Sequence, residues 1–311
     1  MSNGPMSNGP LSNGPMSHGP SSRAPSGPRP VDSRSARTGP AGAPSAGALA
    51  GPDSNPCAYL SHLGTSAHVR LDREPDHALL TAPTVARPFN TVFAPAFAVE
   101  GLDRRLREVA DTHAARAPAA MWWIGPSSTP AALPEALVAR GYERISPVRL
   151  MSASREAGLP DSTGPDRPGG GVDVRPVTCR EELADFVAVH LAAYAMAPEE
   201  AHFTLRVLGS LSLAEDAPLR HFLVRRAGTA LAAASVFAHD GLGGLYNIAT
   251  VPRARRMGLA TLATRAALAE AYGRGVRAVM LGAEPGAVGM YRRLGFREGA
   301  ELTRLVPRPS R

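Results

Sequence analysis

The sequence predicts an α/β (α+β) protein: a mixed central sheet flanked by helices, preceded by a smaller α/β unit and a disordered N-terminal tail. Three observations carry that expectation. Between residues 172 and 307, short apolar runs of strand character alternate with amphipathic stretches of helical period. A Pro/Gly/Asp-rich linker, residues 158–171, separates this region from an earlier one, residues 57–157, with apolar runs of its own. Ahead of both, Met1-Ser2-Asn3-Gly4-Pro5 recurs with small changes up to Pro20, and Gly, Pro and Ser dominate as far as Pro56. Residues 1–56 cannot bury enough apolar surface to offset chain ordering, so this stretch reads as a disordered, dispensable extension.

In the first unit, Leu102 to Arg116 reads as a charged helix and Trp122-Trp123-Ile124-Gly125 as a short buried strand. Pro130 to Arg140 reads as a helix, with Leu133 and Leu137 at i, i+4 and Gly141 at its C-terminal stop. Tyr142 to Met151 reads as a returning strand. In the second unit, Val172 to Val177 opens as a strand, and Glu181 to Ala193 and Pro198 to Leu208 follow as helices. His221 to Arg226 and Ala230 to Ala238 read as a hairpin turning at Ala227-Gly228, and Leu245 to Val251 as the next strand. The helix from Gly258 to Tyr272 carries Leu259, Leu262, Ala263, Ala266 and Ala269 on one face. Strand Val276 to Gly282, short helix Ala287 to Leu294 with Gly295 as its cap, and strand Phe296 to Val306 complete the unit.

Composition excludes several function classes. The net charge is +7 and the pI about 10.2, yet all 34 basic residues are arginine and they form no stripe or aromatic-interleaved patch. A nucleic-acid partner is therefore not expected. Cys57 and Cys179 stand far apart without CxxC spacing, which argues against a zinc site or a disulfide framework and for reduced thiols in a cytoplasm. No apolar run reaches membrane-spanning length and no secretory signal opens the chain, so no membrane partner is expected.

The stretch from Thr250 to Ala260 joins an apolar strand to an amphipathic helix through a basic, glycine-containing turn. The first amides of a helix lack intrahelical acceptors, and the helix start favours anions. Gly258 and Ala260 let an anion approach the backbone, Thr261 adds a hydroxyl, and Arg253, Arg255 and Arg256 offer guanidinium forks. A pyrophosphate suits such a corner. One helix further on stands Tyr291-Arg292-Arg293-Leu294-Gly295-Phe296.

These motifs resemble the GCN5-related N-acetyltransferase (GNAT) family. Its Gln/Arg-x-x-Gly-x-Gly/Ala signature reads here as Arg255-Arg256-Met257-Gly258-Leu259-Ala260, and its Tyr-x-x-Leu-Gly-Phe stretch as Tyr291 to Phe296. The resemblance covers roughly residues 172–306. It implies the GNAT acyl-CoA fold, acetyl-CoA as co-substrate, and transfer to an amine. A CoA site is implied at Thr250, Val251, Arg253, Arg255, Arg256, Met257, Gly258, Leu259, Ala260 and Thr261. The first unit resembles a degenerate copy, with Leu137-Val138-Ala139-Arg140-Gly141-Tyr142 laid over Tyr291 to Phe296, Leu137 in the place of the tyrosine, and no anion turn before it.

By that resemblance the strand ending at Thr250-Val251 splays from the next one, Val276 to Gly282. The pantetheine arm then enters the gap like an added strand, and an N–H near Val251 polarises the thioester carbonyl. Tyr291 is the expected general acid: a phenol and a thiol have ordinary pKa values of about 10 and 8.5, so a phenol can help protonate the leaving thiolate. The general base is not legible. The fourth strand carries no carboxylate, and Tyr246 and Asn247 are candidates for lining the acceptor pocket or holding a relay water. His239 is a weaker candidate, and Glu284 receives no role.

No Gly-x-Ser-x-Gly elbow and no His-Glu-x-x-His is present, so direct amine attack without a covalent intermediate or metal is expected. The expected partner is a small-molecule amine or peptide acceptor, and the chain is expected to be a monomer or homodimer. The rival expectation is a non-catalytic acyl-CoA-binding or sensing protein of the same fold.

Overall fold

In the computed structural model, the described residues are 51–116, 120–157 and 171–308. The tail through residue 50 and linker residues 158–170 lie outside them. All described residues fall in one compact unit.

The first half begins with α1 (Ser54–Leu63), then β1 (Arg70–Glu74), β2 (His77–Thr81), β3 (Thr91–Phe93), α2 (Leu102–Ala114), β4 (Met121–Ile124), α3 (Leu133–Ala139), β5 (Tyr142–Arg144) and β6 (Val148–Ser154). The second half runs β7 (Val172–Pro176), α4 (Arg180–Tyr194), α5 (Pro198–Gly209), β8 (Leu219–Arg226), β9 (Thr229–His239), β10 (Leu242–Thr250), α6 (Leu259–Gly273), β11 (Ala278–Ala283), α7 (Val288–Arg293) and β12 (Arg297–Pro307).

Several expectations need correction. Helix α1 starts inside the stretch assigned to the tail, and Asn55 in its first turn is only 2% exposed. A Pro/Ser/Asn-rich sequence concealed it, although Pro is well suited to a first helical turn. Strands β1 to β3 carried too little alternation to be read: β2 is buried along its whole length and β3 is three residues long. The expected strand Tyr142 to Met151 is two strands interrupted at Ile145-Ser146-Pro147. On α6 the buried row is Leu259, Ala263, Ala267 and Ala271, and Ala269 faces outward. The small alanines gave no amphipathic contrast to orient the helix.

Among the described residues the strands form one mixed twelve-stranded sheet. Its order, β1-β2-β3-β4-β12-β6-β11-β10-β9-β8-β7 with β5 also on β12, is not the chain order. Strand β6 lies between β11 and the start of β12, with Ala283 opposite Arg149 and Arg297 opposite Ser152. The end of β12 lies between β4 and β5, with Leu305 opposite both Trp122 and Arg144. Each half thus inserts its last strand between two strands of the other. Leu305 is fully buried in the first half's core with Trp122, Leu133 and Leu137. A larger core joins Leu60, Leu63 and Phe93 of the first half to Leu183, Phe186 and Val236 of the second. Burial of this kind contributes about 25 cal/mol per Å² of apolar surface, so the core crosses the linker as the sheet does.

Candidate active site

The site is built around β10. This strand pairs in parallel with β11 from Leu242 opposite Ala278 to Leu245 opposite Leu281. The pairing stops there, although β10 continues to Thr250 and β11 to Ala283. On its other side, the ladder to β9 is irregular between Tyr246 and Ala249, and Asn247 takes a left-handed φ of 53°. A bulge of this kind bends a strand and re-aims its side chains.

Polar groups, several of them buried, hold the irregularity in place. The Asn247 carbonyl meets His190 Nε2 at 2.8 Å, and the Ile248 carbonyl accepts from the Tyr194 hydroxyl at 2.8 Å. Asn247 Nδ2 lies 3.2 Å from both the Tyr59 hydroxyl and Ser235 Oγ, and Ser235 Oγ is 2.7 Å from His221 Nδ1. Burial lowers the pKa of His190, against the opposing pull of the Phe186 and Asn247 carbonyls. Burial first, then the neighbouring His190, Arg220 and His62, pushes His221 down to about 3, so its ring is neutral near pH 7.

Helix α1 closes this side. Tyr59 stacks on Tyr246 with ring centres 3.8 Å apart, and the Tyr246 hydroxyl donates to Asn55 Oδ1 at 2.7 Å. Gly244 makes the approach possible: a Cβ there would fall 1.9 Å from Asn55 Oδ1. The two candidate acceptor residues, Tyr246 and Asn247, therefore lie together on β10, but their polar groups are bonded to the first half and to β9.

The basic turn follows β10. Val251 is buried and its N–H donates to the Leu231 carbonyl at 3.0 Å. It is not free to polarise a thioester, which corrects the placement of that donor. Thr250 Oγ1 is buried without a partner among the described residues. Arg253, Arg255 and Arg256 are exposed, as is Met257 at 40%. Arg255 Nη2 donates to the Ala193 carbonyl at 2.8 Å, tying the turn to the end of α4. Arg256 and Gly258 both take positive φ, 64° and 74°. Gly258 is the N-cap of α6, and no side chain caps the first turn formed by Leu259, Ala260 and Thr261. Leu259 and Thr261 are buried, while Gly258 and Ala260 are partly open. Uncapped amides beside exposed guanidiniums give the corner the donors an anion needs.

Beyond the point where β10 and β11 part lies a cavity of about 440 Å³. Tyr291, Tyr246, Asn247 and Glu284 line it, with Tyr59 and Trp123 from the first half. Tyr291 is 5% exposed and packs edge-on against Phe296, and its carbonyl accepts from the Leu294 and Phe296 amides at 3.0 Å. Burial, with the nearby Tyr194 phenol, raises its pKa well above the ordinary tyrosine value. His239 is exposed at the far end of β9, with Nε2 3.4 Å from Asp240 Oδ2, and does not line the cavity. Sequence reasoning missed Asn55, Tyr59, Tyr194 and Trp123 as residues of the site. Each comes from an element whose contact with β10 or the cavity depends on tertiary packing, and only the Gly243-Gly244 pair hinted at a close approach.

Comparison with known proteins identifies one domain. A model of the "Acetyltransferase (GNAT) family" matches residues 183–296. Residues 183–296 form a GNAT-family domain. That stretch contains β10, the basic turn, α6 and Tyr291. Among curated proteins no match was found. Among solved structures, this chain resembles a GCN5-related N-acetyltransferase from Kribbella flavida, at 21% identity over 82% of this chain and 94% of that one, with a TM-score of 0.62. It resembles another from Sphaerobacter thermophilus at 20% identity, over 78% and 84%, with a TM-score of 0.57. A tandem GNAT protein from the clavulanic acid biosynthesis pathway matches at 17% identity over 88% and 92%, with a TM-score of 0.54. These likenesses establish the fold. Among the described residues, no group of three His, Cys, Asp or Glu is placed to hold a metal, and no helix is long and apolar enough to cross a membrane.

Proposed function

We propose that this GNAT chain is an N-acetyltransferase that moves an acetyl group from acetyl-CoA to a primary amine by direct attack. The observation that carries the reading is the parting of β10 from β11, with an uncapped, arginine-flanked helix start at one end and the Tyr291 cavity beyond it. Acetyl-CoA supplies the activated thioester. The α6 first-turn amides, Arg253 and Arg256, with the remaining donors of Arg255, hold the diphosphate, and the edges of β10 and β11 receive the pantetheine arm. With the Val251 amide committed, the oxyanion donor falls to the irregularity at Asn247-Ile248, off the β9 ladder.

Tyr291 donates its phenolic proton toward the leaving sulfur, and its raised pKa keeps that proton in place near neutrality. Cys57 offers no competing nucleophile: burial first, then Asp53, pushes its thiol up to about 12. Both cysteines are free, which suits a reducing cytoplasm. The first half is read as a degenerate copy that completes the cavity, and the exchanged strands support that reading.

The rival reading, a non-catalytic acyl-CoA binder, draws on one observation. Strand β10 bears no carboxylate, and its Tyr246 and Asn247 side chains are already bonded. Thiol release from acetyl-CoA against an amine panel separates the two. The enzyme releases CoA with at least one amine and loses most of that rate in Tyr291→Phe. CoA binding without release for any amine supports the binder.

A further inference from the structure

The cavity beyond Tyr291 gathers aromatic side chains that are scarce in the rest of the chain. Aromatic residues make up 5% of the sequence, with six tyrosines and two tryptophans among them. Four of those tyrosines, Tyr59, Tyr194, Tyr246 and Tyr291, and one tryptophan, Trp123, line this one space. Leu60, Val148, Leu150 and Leu302 fill the wall between them. These residues come from α1, α4, β4, β6, β10, α7 and β12, so no local sequence preference brings them together. Val148, Leu150 and Leu302 form a small apolar cluster of their own, with Trp123 packed against it.

Most polar groups of that lining are turned to the protein. The Tyr246 hydroxyl donates to Asn55 Oδ1 at 2.7 Å, the Tyr194 hydroxyl donates to the Ile248 carbonyl at 2.8 Å, and the Tyr59 hydroxyl accepts from Asn247 Nδ2 at 3.2 Å. Trp123 Nε1 is buried, so the indole meets the cavity through ring carbon. The two charged residues of the lining, Glu284 and Arg304, pair with each other: Glu284 Oε1 accepts from Arg304 Nη2 at 2.6 Å, and Oε2 accepts from Ser146 Oγ at 2.7 Å. A wall of this kind gains from taking apolar surface out of water and offers aromatic rings to pack against. A carboxylate placed there would shed its water with no free cation to meet it. Tyr291 and the parting of β10 from β11 mark the end at which the reacting nitrogen would sit.

We infer that this cavity takes the body of the acceptor, so that the substrate class is a primary amine on an uncharged aromatic or comparably flat apolar body, without a carboxylate. The inference deepens the acetyl-transfer reading and rests on it for the word acceptor, but its binding claim is measured apart from turnover. The test is calorimetric titration of the full chain, with CoA present, using three probes. They are 2-phenylethylamine, phenylalanine, which adds a carboxylate, and ethanolamine, which has no apolar body. The first should bind about tenfold more tightly than either of the others. Trp123→Ala removes the ring from the wall and should weaken 2-phenylethylamine about fivefold, while affinity for CoA stays within about twofold and shows that the variant is folded. Should Trp123→Ala fail to fold, Leu150→Ala, on another strand, gives the same reading. Comparable affinity for all three probes, tighter binding of phenylalanine or ethanolamine, no heat with 2-phenylethylamine, or unchanged affinity in the folded variants overturns the assignment. The expected preference with no CoA release from acetyl-CoA for any amine removes acetyl transfer and leaves the apolar cavity. CoA release with phenylalanine or ethanolamine at a kcat/KM equal to that of 2-phenylethylamine does the reverse.

Discussion

Burial holds the Tyr291 phenol in its protonated form above the ordinary tyrosine range, and this sets what the residue can do. In the proposed reaction it serves as a proton donor rather than as a base near neutral pH. Tyr291→Phe should lower kcat by about 10²-fold or more, the scale of general acid catalysis, with acetyl-CoA affinity unchanged; steady-state kinetics with calorimetry checks both. Because the folded pKa is raised, Tyr291 should contribute no falling alkaline limb to the wild-type kcat profile below about pH 10, and a limb near pH 8 that vanishes in Tyr291→Phe would contradict this. At this scale the sequence was most informative. Gly258, the exposed arginines and Tyr291 were legible because a signature fixes their local spacing. Trp123, Arg304 and Asn55 were not, because strand exchange and helix docking bring them to the site from distant points in the chain.

The elements around β10 depend on close approach. Gly244 leaves room for Asn55, whose amide also reaches the Phe237 and Leu242 carbonyls at 3.4 and 3.3 Å. Gly244→Val should displace Asn55 and the Tyr246 hydroxyl, costing about 1–3 kcal/mol by overpacking, read as a lowered Tm. An unchanged Tm would mean that α1 does not dock on this strand. The hairpin at Ala227-Gly228 and the stop at Gly295 were legible in residue chemistry, and both glycines take positive φ. The irregularity at Asn247 was not, since nothing local marks a bulge whose stability comes from His190, Tyr194 and Tyr59.

At the scale of the whole molecule, the exchanged strands make the halves interdependent. A fragment of residues 171–311 lacks β6, which leaves β11 and the start of β12 without the strand between them. It should be unfolded or insoluble alone, and supplying residues 51–157 together with it should restore soluble protein. A soluble, cooperatively melting fragment would contradict the exchange.

Two buried histidines should make stability fall in acid. His221 is pushed down to about 3, and His113, by burial and then Arg116, to about 4. Their unfolded values lie near 6.5, so the unfolded chain binds protons that the folded one refuses as pH falls. The stability they confer is complete above about pH 6.5 and drains below it, at about 1.4 kcal/mol per pH unit for each site, until each folded pKa is reached. Denaturant melts between pH 7 and 4 should show that decline. The alternation of strands and helices revealed the fold class, but it could not reveal which half a terminal strand would join, because Leu305 and Leu150 are equally apolar beside the strands of either half.

The most direct test of the central claim is isothermal titration of acetyl-CoA into the wild-type chain and into Gly258→Glu, with circular dichroism to establish that both are folded. One equivalent should bind the wild type, and affinity should fall at least a hundredfold in the variant, where a carboxylate occupies the anion corner. No heat with the wild type, or equal affinity in a folded variant, would contradict the account.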